Sequence, residues 1–184
     1  GIGEAIARSA AAEGYFVLLP YVGQADRARG VVEAIQAAGG RAAAVQADTG
    51  VPSDVARMFE AADQHGRLSA LVYNGGITGG VGLLADQTDD TLAQVIAVNL
   101  TGALISCREA VKRMSTRLGG QGGSIVLLSS RAATLGSPNQ HLWYAASKGG
   151  LDTFMKTFAL EVAAWLVEAR HPRFDKPYTA LAYQ

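Results

Sequence analysis

Several residue types are scarce in this 184-residue chain, and each scarcity excludes something. There is one cysteine, Cys107, so no disulfide closes within the chain, and its neighbours Leu104, Ile105 and Val111 predict a buried thiol. The three histidines, His65, His141 and His171, share no ligand spacing, so no zinc site is predicted. Charged residues make up 17%, against about 25% in an average soluble domain. Sixteen basic and sixteen acidic residues cancel, which removes the basic face that nucleic acid or an anionic lipid surface requires. No apolar run approaches the roughly 20 residues that a membrane helix needs. The opening Gly1-Ile2-Gly3-Glu4 has neither the basic nor the apolar stretch of a signal peptide. The expectation is a cytoplasmic protein without metal, nucleic-acid or membrane partners.

Apolar residues, by contrast, reach 49%, which excludes intrinsic disorder. Glycine is abundant, at 22 residues, but has no collagen-like period. The length suits one domain, or at most a small pair, with a core of its own.

Apolar strands alternate with helical patterns along the chain. Glu4–Ala12 reads as a helix stopped by Gly14, and Tyr15–Leu19 as a buried strand. Asp26–Ala38 is a predicted helix ended by Gly39-Gly40, and Arg41–Gln46 a second strand. Ser53 is placed to cap a helix carrying Val55, Met58 and Phe59, and Leu68–Tyr73 follows as a strand. Helical spacing then runs from Asp89 to Leu118, with a bend expected near Gly102, before a fourth strand at Ser124–Leu128. Leu151, Phe154, Met155, Phe158 and Val162 give a last helix. Such alternation predicts a parallel sheet covered by helices on both faces. Ligands in such sheets sit beyond the carboxyl ends of the strands. The loops expected there hold Pro20-Tyr21, Asp48-Thr49, Asn74 to Gly80, and Ser129 to Trp143.

The sharpest chemical signal is Tyr144-Ala145-Ala146-Ser147-Lys148. On a helix the tyrosine and lysine share one face. A phenol ionises near pH 10, so a phenol used as a base needs a cation beside it. Ser129-Ser130, at the end of the fourth strand, is placed to bring a hydroxyl to the same phenol.

Six features together resemble the classical short-chain dehydrogenase/reductase family. They are Gly1-Ile2-Gly3 opening a helix, Ala47-Asp48, Tyr73-Asn74-Gly75-Gly76, Val98-Asn99-Leu100-Thr101-Gly102, Ser129-Ser130, and Tyr144 to Lys148. They stand in the family's order from residue 1 to about Ala163. The resemblance implies a Rossmann-like, doubly wound α/β fold. It also implies an NAD(P)-dependent oxidoreductase that interconverts a carbonyl and a secondary alcohol, working when complete as a homodimer or homotetramer.

By the same resemblance Tyr144 is the acid/base, and Lys148 supplies the positive charge beside it and holds the nicotinamide ribose. Ser130 holds the substrate oxygen, and Asn99 organises a helix bend and a water. Ser130 is preferred to Ser129 because it lies 14 positions before Tyr144, nearer the family's separation. Cofactor contacts are implied at Gly1, Ile2, Gly3, Tyr21, Asp48, Thr49, Asn74, Gly75 and Gly76, besides Tyr144 and Lys148. Tyr73 and Gly76 depart from the family's Asn-Asn-Ala-Gly. Pro20-Tyr21-Val22-Gly23 carries no carboxylate where NAD-preferring members hold the ribose 2′-hydroxyl, and Arg27 and Arg29 lie nearby, so NADP is expected over NAD. His141 and Trp143 flank the active-site loop, where substrate contact and loop packing are both open. Leu135, Pro138 and Leu142 outline an apolar wall.

The family also carries a strand and a Thr-Gly turn ahead of its Gly-Ile-Gly. Beyond the stretch ending here at Ala163 it has a further strand, a Pro-Gly turn and a lid. The expectation is a partial domain over 1–163, a fragment lacking the first central strand and the last strands, with 164–184 a tail without family counterpart. Two functional expectations follow: an oxidoreductase, or a non-catalytic remnant that binds partners.

Overall fold

The computed structural model describes residues 1–166, with side chains described through Ala164. Most of the tail expected at 164–184 lies outside these residues. The chain divides into two compact units, the first 1–48 with 53–66, the second 49–52 with 67 onward.

In the first unit α1 (Ile2–Ala12), β1 (Phe16–Tyr21), α2 (Ala25–Ala37), β2 (Arg41–Gln46) and α3 (Pro52–Asp63) alternate as the periodicity predicts. β1 and β2 pair in parallel, Phe16 opposite Arg41 through Tyr21 opposite Gln46. Ala7 and Ala11 of α1, Val31 and Ile35 of α2 and Ala42 of β2 form a buried cluster, with Val17, Leu19 and Val32 against it. Phe16 stacks on His65, ring centroids 4.0 Å apart.

Two details differ from expectation. β1 runs on through Pro20 and Tyr21, which the sequence places in a loop. Among the described residues β1 is hydrogen-bonded on one side only, where proline's missing N–H is tolerated. α3 starts at Pro52, so Ser53 is its second residue rather than its cap; proline's fixed φ suits the first helical position.

In the second unit β3 (Ala70–Tyr73) pairs in parallel with β4 (Ser124–Leu127), Ala70 opposite Ser124 through Tyr73 opposite Leu127. Between them lie α4 (Asp89–Ile96), a π-helical turn at Ala97–Thr101 and α5 (Gly102–Met114). Thr88 caps α4 by accepting the Thr91 N–H at 3.2 Å. The expected bend is this π turn, centred a little before Gly102. α6 (Ala132–Leu135) and α7 (Leu142–Leu166) complete the unit. α7 begins nine residues before Leu151, where the apolar spacing becomes regular, so Tyr144 and Lys148 lie in its first two turns. Ser129 and Ser130 stand beyond the end of β4 at Leu127, in the loop that leads to α6.

Helical residues Asp89–Met114 are long and apolar enough, by length and composition, to cross a membrane, which corrects the sequence reading. A window average tolerates the few charges that break an apolar run. Ala103, Cys107, Ala110 and Met114 of α5 are nonetheless fully buried, and α5 packs on β3, β4 and α7. One face of the α5 half of this stretch is thus built into the core of the second unit.

Gly102 is where α5 passes closest to its surroundings. A Cβ there would stand 2.3 Å from the Thr49 carbonyl oxygen and 2.7 Å from Tyr73 Oη. Only glycine lets that backbone and that phenol share the space.

Candidate active site

The second unit brings three of the four expected catalytic residues into one network. Asn99, on the π turn, is completely buried. Its Oδ1 accepts the Ile77 N–H at 2.8 Å, and its Nδ2 donates to the Ile77 carbonyl at 2.8 Å and to Ser147 Oγ at 3.0 Å. Ser147 in turn donates to the Tyr144 carbonyl at 2.7 Å. Lys148 is 3% exposed; its ammonium donates to the Leu128 carbonyl at 2.7 Å and lies 6.0 Å from the centroid of the Tyr144 ring. Ser130 stands two residues beyond Leu128, and its Oγ accepts the Ala132 N–H at 3.2 Å, which leaves the hydroxyl proton available to donate. Ser129 Oγ is buried with no hydrogen-bond partner.

Burial pulls the Lys148 ammonium below its ordinary range, and the Asp152 carboxylate one turn further along α7 pushes it back up. Below its folded pKa, Lys148 is charged in both states and burial opposes folding. As the pH rises from that value towards the ordinary 10.5, the unfolded chain holds more protons and stability increases. Cys107 has no part in the site: it is fully buried, and desolvation pushes its thiol up to about 12.

The remaining expected residues divide between the units. In the second, Asn74 is exposed at the end of β3, and a Cβ on Gly75 would lie 3.5 Å from Thr49 Oγ1 and from the Tyr73 ring. A Cβ on Gly76 would lie 3.4 Å from Lys148 Nζ and 3.5 Å from Asn99 Oδ1. Tyr73, the departure from the family's asparagine, points inward at 4% exposure and donates its hydroxyl to the Val98 carbonyl in the π turn.

In the first unit, Gly1 caps α1 without a side-chain bond, and Ile2 and Gly3 form its first turn. Arg27 Nη2 lies 3.7 Å from where a Cβ on Gly1 would stand, whereas Arg29 is paired with Asp26 at 3.2 Å. Tyr21 is the last residue of β1, and its carbonyl accepts the Ala47 N–H at 2.9 Å. The Asp48 N–H donates to Asp54 Oδ2 at 3.0 Å; this bond, then Arg57, holds the Asp54 carboxyl below its ordinary range.

These residues fit a dinucleotide in kind. The first-turn amides of α1 have no side-chain cap and suit a phosphate. The bare backbone at Gly76 passes close to the Lys148 ammonium and the Asn99 side-chain oxygen, where a larger residue would crowd them. Sequence reasoning missed the parts played by Ile77 and Ser147, and left Trp143 open between substrate contact and loop packing. Ser147 was in plain view, three positions after Tyr144, a spacing that returns a hydroxyl to the helix carbonyl. Of the residues left open, Trp143 is buried while Leu135 and Leu142 are 68% and 48% exposed.

A tyrosine and a lysine on one helical face thus stand against a buried asparagine in a π turn, within a chain of Rossmann-like fold. The sequence profile described as short chain dehydrogenase matches residues 1–171, and the chain belongs to that family. It is 45% identical over 165 residues to the uncharacterized oxidoreductase YgfF of Escherichia coli (strain K12), covering 89% of this chain and 67% of that protein. Versicolorin reductase 1 of Dothistroma septosporum is 36% identical, covering 88% and 59%. A short chain dehydrogenase from Burkholderia cenocepacia J2315, solved in complex with NADP, superimposes with a TM-score of 0.83 at 34% identity, covering 90% and 66%. The chain thus spans about three fifths to two thirds of the length of these relatives.

Proposed function

We propose that this chain, with residues 1–163 as its dehydrogenase part, carries the acid–base centre of an NADP-dependent oxidoreductase. The substrate class is a small molecule with a carbonyl or a secondary alcohol. The observation that carries the reading is the placing of Tyr144 and Lys148 in the first two turns of α7, with Asn99 tied to that helix through Ser147. Tyr144 gives the proton to the substrate oxygen in reduction and takes it in oxidation. Ser130 donates its free hydroxyl proton to the same oxygen and steadies the charge that develops there. Lys148, 6.0 Å from the Tyr144 ring, supplies positive charge beside that transfer and a donor for the ribose. When bound, the nicotinamide supplies or accepts the hydride.

Gly1, Ile2 and Gly3 would take the pyrophosphate, Asp48 and Tyr21 the adenine side, and Thr49, Asn74, Gly75 and Gly76 the ribose side. NADP is preferred because the end of β1 carries no carboxylate to repel a 2′-phosphate and Arg27, in the first turn of α2 just beyond it, offers a charge to attract one. A non-catalytic remnant is the weaker reading, since Asn99 and Lys148 keep buried polar atoms held by hydrogen bonds. The half-exposed Ile96 and Leu104 and the 83% exposed Leu160 support self-association. A lone buried thiol suits a cytoplasmic setting.

The test is binding and turnover. Arg27→Glu is expected to weaken NADPH binding by about 10–100-fold, the loss of one charged hydrogen-bonding partner, and to leave NADH binding nearly unchanged. Fluorescence titration with both cofactors measures this. An equal loss for both cofactors would assign Arg27 another role. Failure to oxidise NADPH with any of a panel of ketones would remove the oxidoreductase reading.

A further inference from the structure

We propose that Trp143 is a positioning residue for Tyr144, acting through a hydrogen-bonded clamp between the start of α7 and the loop that follows β3. The proposal rests on the oxidoreductase reading above. A buried indole has one donor and no acceptor, so it must find a carbonyl. Trp143, 3% exposed, finds that of Thr78, with Nε1 donating at 2.7 Å. The residue before Thr78 is Ile77, both of whose backbone groups are held by Asn99. Asn99 also reaches Ser147, one helical turn after Trp143. A closed circuit therefore runs from Asn99 through Ile77 and Thr78 to Trp143, along α7 to Ser147, and back to Asn99. Tyr144 sits inside that circuit, between the two points at which its helix is tied.

Two more bonds extend the clamp in the same sense. His141 Nδ1 meets the Gly80 carbonyl at 3.1 Å, and the Gly82 N–H donates to the Gln140 carbonyl at 3.1 Å. Residues 78, 80 and 82 thus face 143, 141 and 140, like a short antiparallel pairing. The Gly80 carbonyl can only accept, so the bond is made by the ring form that carries a proton on Nδ1.

Gly79 completes the fit. Its φ is +71°, and a Cβ there would stand 2.9 Å from Trp143 Nε1 and 3.0 Å from methyls of Thr91 and Val95. The loop can reach the indole only with glycine at that place.

Trp143→Phe keeps a ring and removes the donor. It is expected to raise amide exchange across Ile77–Gly82 about tenfold, the worth of one buried hydrogen bond. With phenanthrenequinone as the probe ketone, kcat is expected to fall about tenfold, while KM and Kd for NADPH stay unchanged. If the variant folds poorly, Gly79→Ala disturbs the same contact from the loop side, and the same pattern is expected. Unchanged exchange in both variants would overturn the clamp. Faster exchange with unchanged kcat would overturn the positioning role. A wild-type protein that shows the protected loop but neither binds NADPH nor reduces the probe would instead sink the functional reading, and the positioning role with it.

Discussion

Tyr144→Phe is expected to lower kcat for ketone reduction by about 10²–10⁴-fold while NADPH still binds, the range that a positioned acid or base contributes. The substitution removes one oxygen and leaves the ring where it is. Tyr144 is only partly buried, and the bonds that hold its turn of α7 run through its backbone carbonyl, Ser147 and Asn99 rather than through its hydroxyl. The variant should therefore fold as the parent does. Steady-state rates with NADPH, beside cofactor titration, separate the two effects. Activity within a factor of a few of the parent would take the acid–base role from Tyr144. A lost rate together with lost cofactor binding would mark the hydroxyl as a binding group instead.

Asn99→Ala is expected to have the largest effect on stability. The side chain is fully buried and satisfies both backbone groups of Ile77 as well as Ser147 Oγ. Each buried polar group left without a partner costs about 1–3 kcal/mol. Ser147 keeps its own bond to the Tyr144 carbonyl, so the loss falls on Ile77, and about 2–4 kcal/mol is expected. For a chain of this size that is a fall in Tm of roughly 5–15 °C. Asn99→Asp keeps the acceptor for the Ile77 N–H but turns a carboxylate towards the Ile77 carbonyl, and should be no milder. Chemical denaturation of the parent and both variants gives the comparison. An unchanged midpoint for Asn99→Ala would mean that Ile77 finds other partners and that the network is not what holds the loop.

Much of this arrangement was legible in the sequence, for physical reasons that can be named. The strand at Arg41–Gln46 agrees to the residue because a turn of Gly39-Gly40 stops the helix before it. The pairing of Tyr144 with Lys148 follows from helical spacing alone. Less legible was the start of α7. Gly149 and Gly150 interrupt the apolar pattern, and only the buried Leu151, Met155, Phe158 and Val162 beyond them show that the helix continues. Tyr73 looked like a flaw in a cofactor loop. Its phenol is in fact a strut to the π turn, made possible by the missing side chain of Gly102, 29 positions away. The bond from Trp143 to Thr78 spans 65 positions and ends on a backbone carbonyl, which carries no mark in the sequence. Side-chain patterns reveal faces and spacings. They do not reveal which distant carbonyl a buried donor will choose.

The single cysteine has a practical use that its burial creates. Cys107 sits in the middle of α5 at 0% exposure, with a thiol that desolvation keeps protonated. A thiol reagent meets nothing in the folded molecule and one site once the helix opens. Labelling is therefore a clock for opening events around α5, with one tick per molecule and no second thiol to blur the count. In the variants above it would separate a loosened loop, which leaves the clock slow, from a core that has come apart.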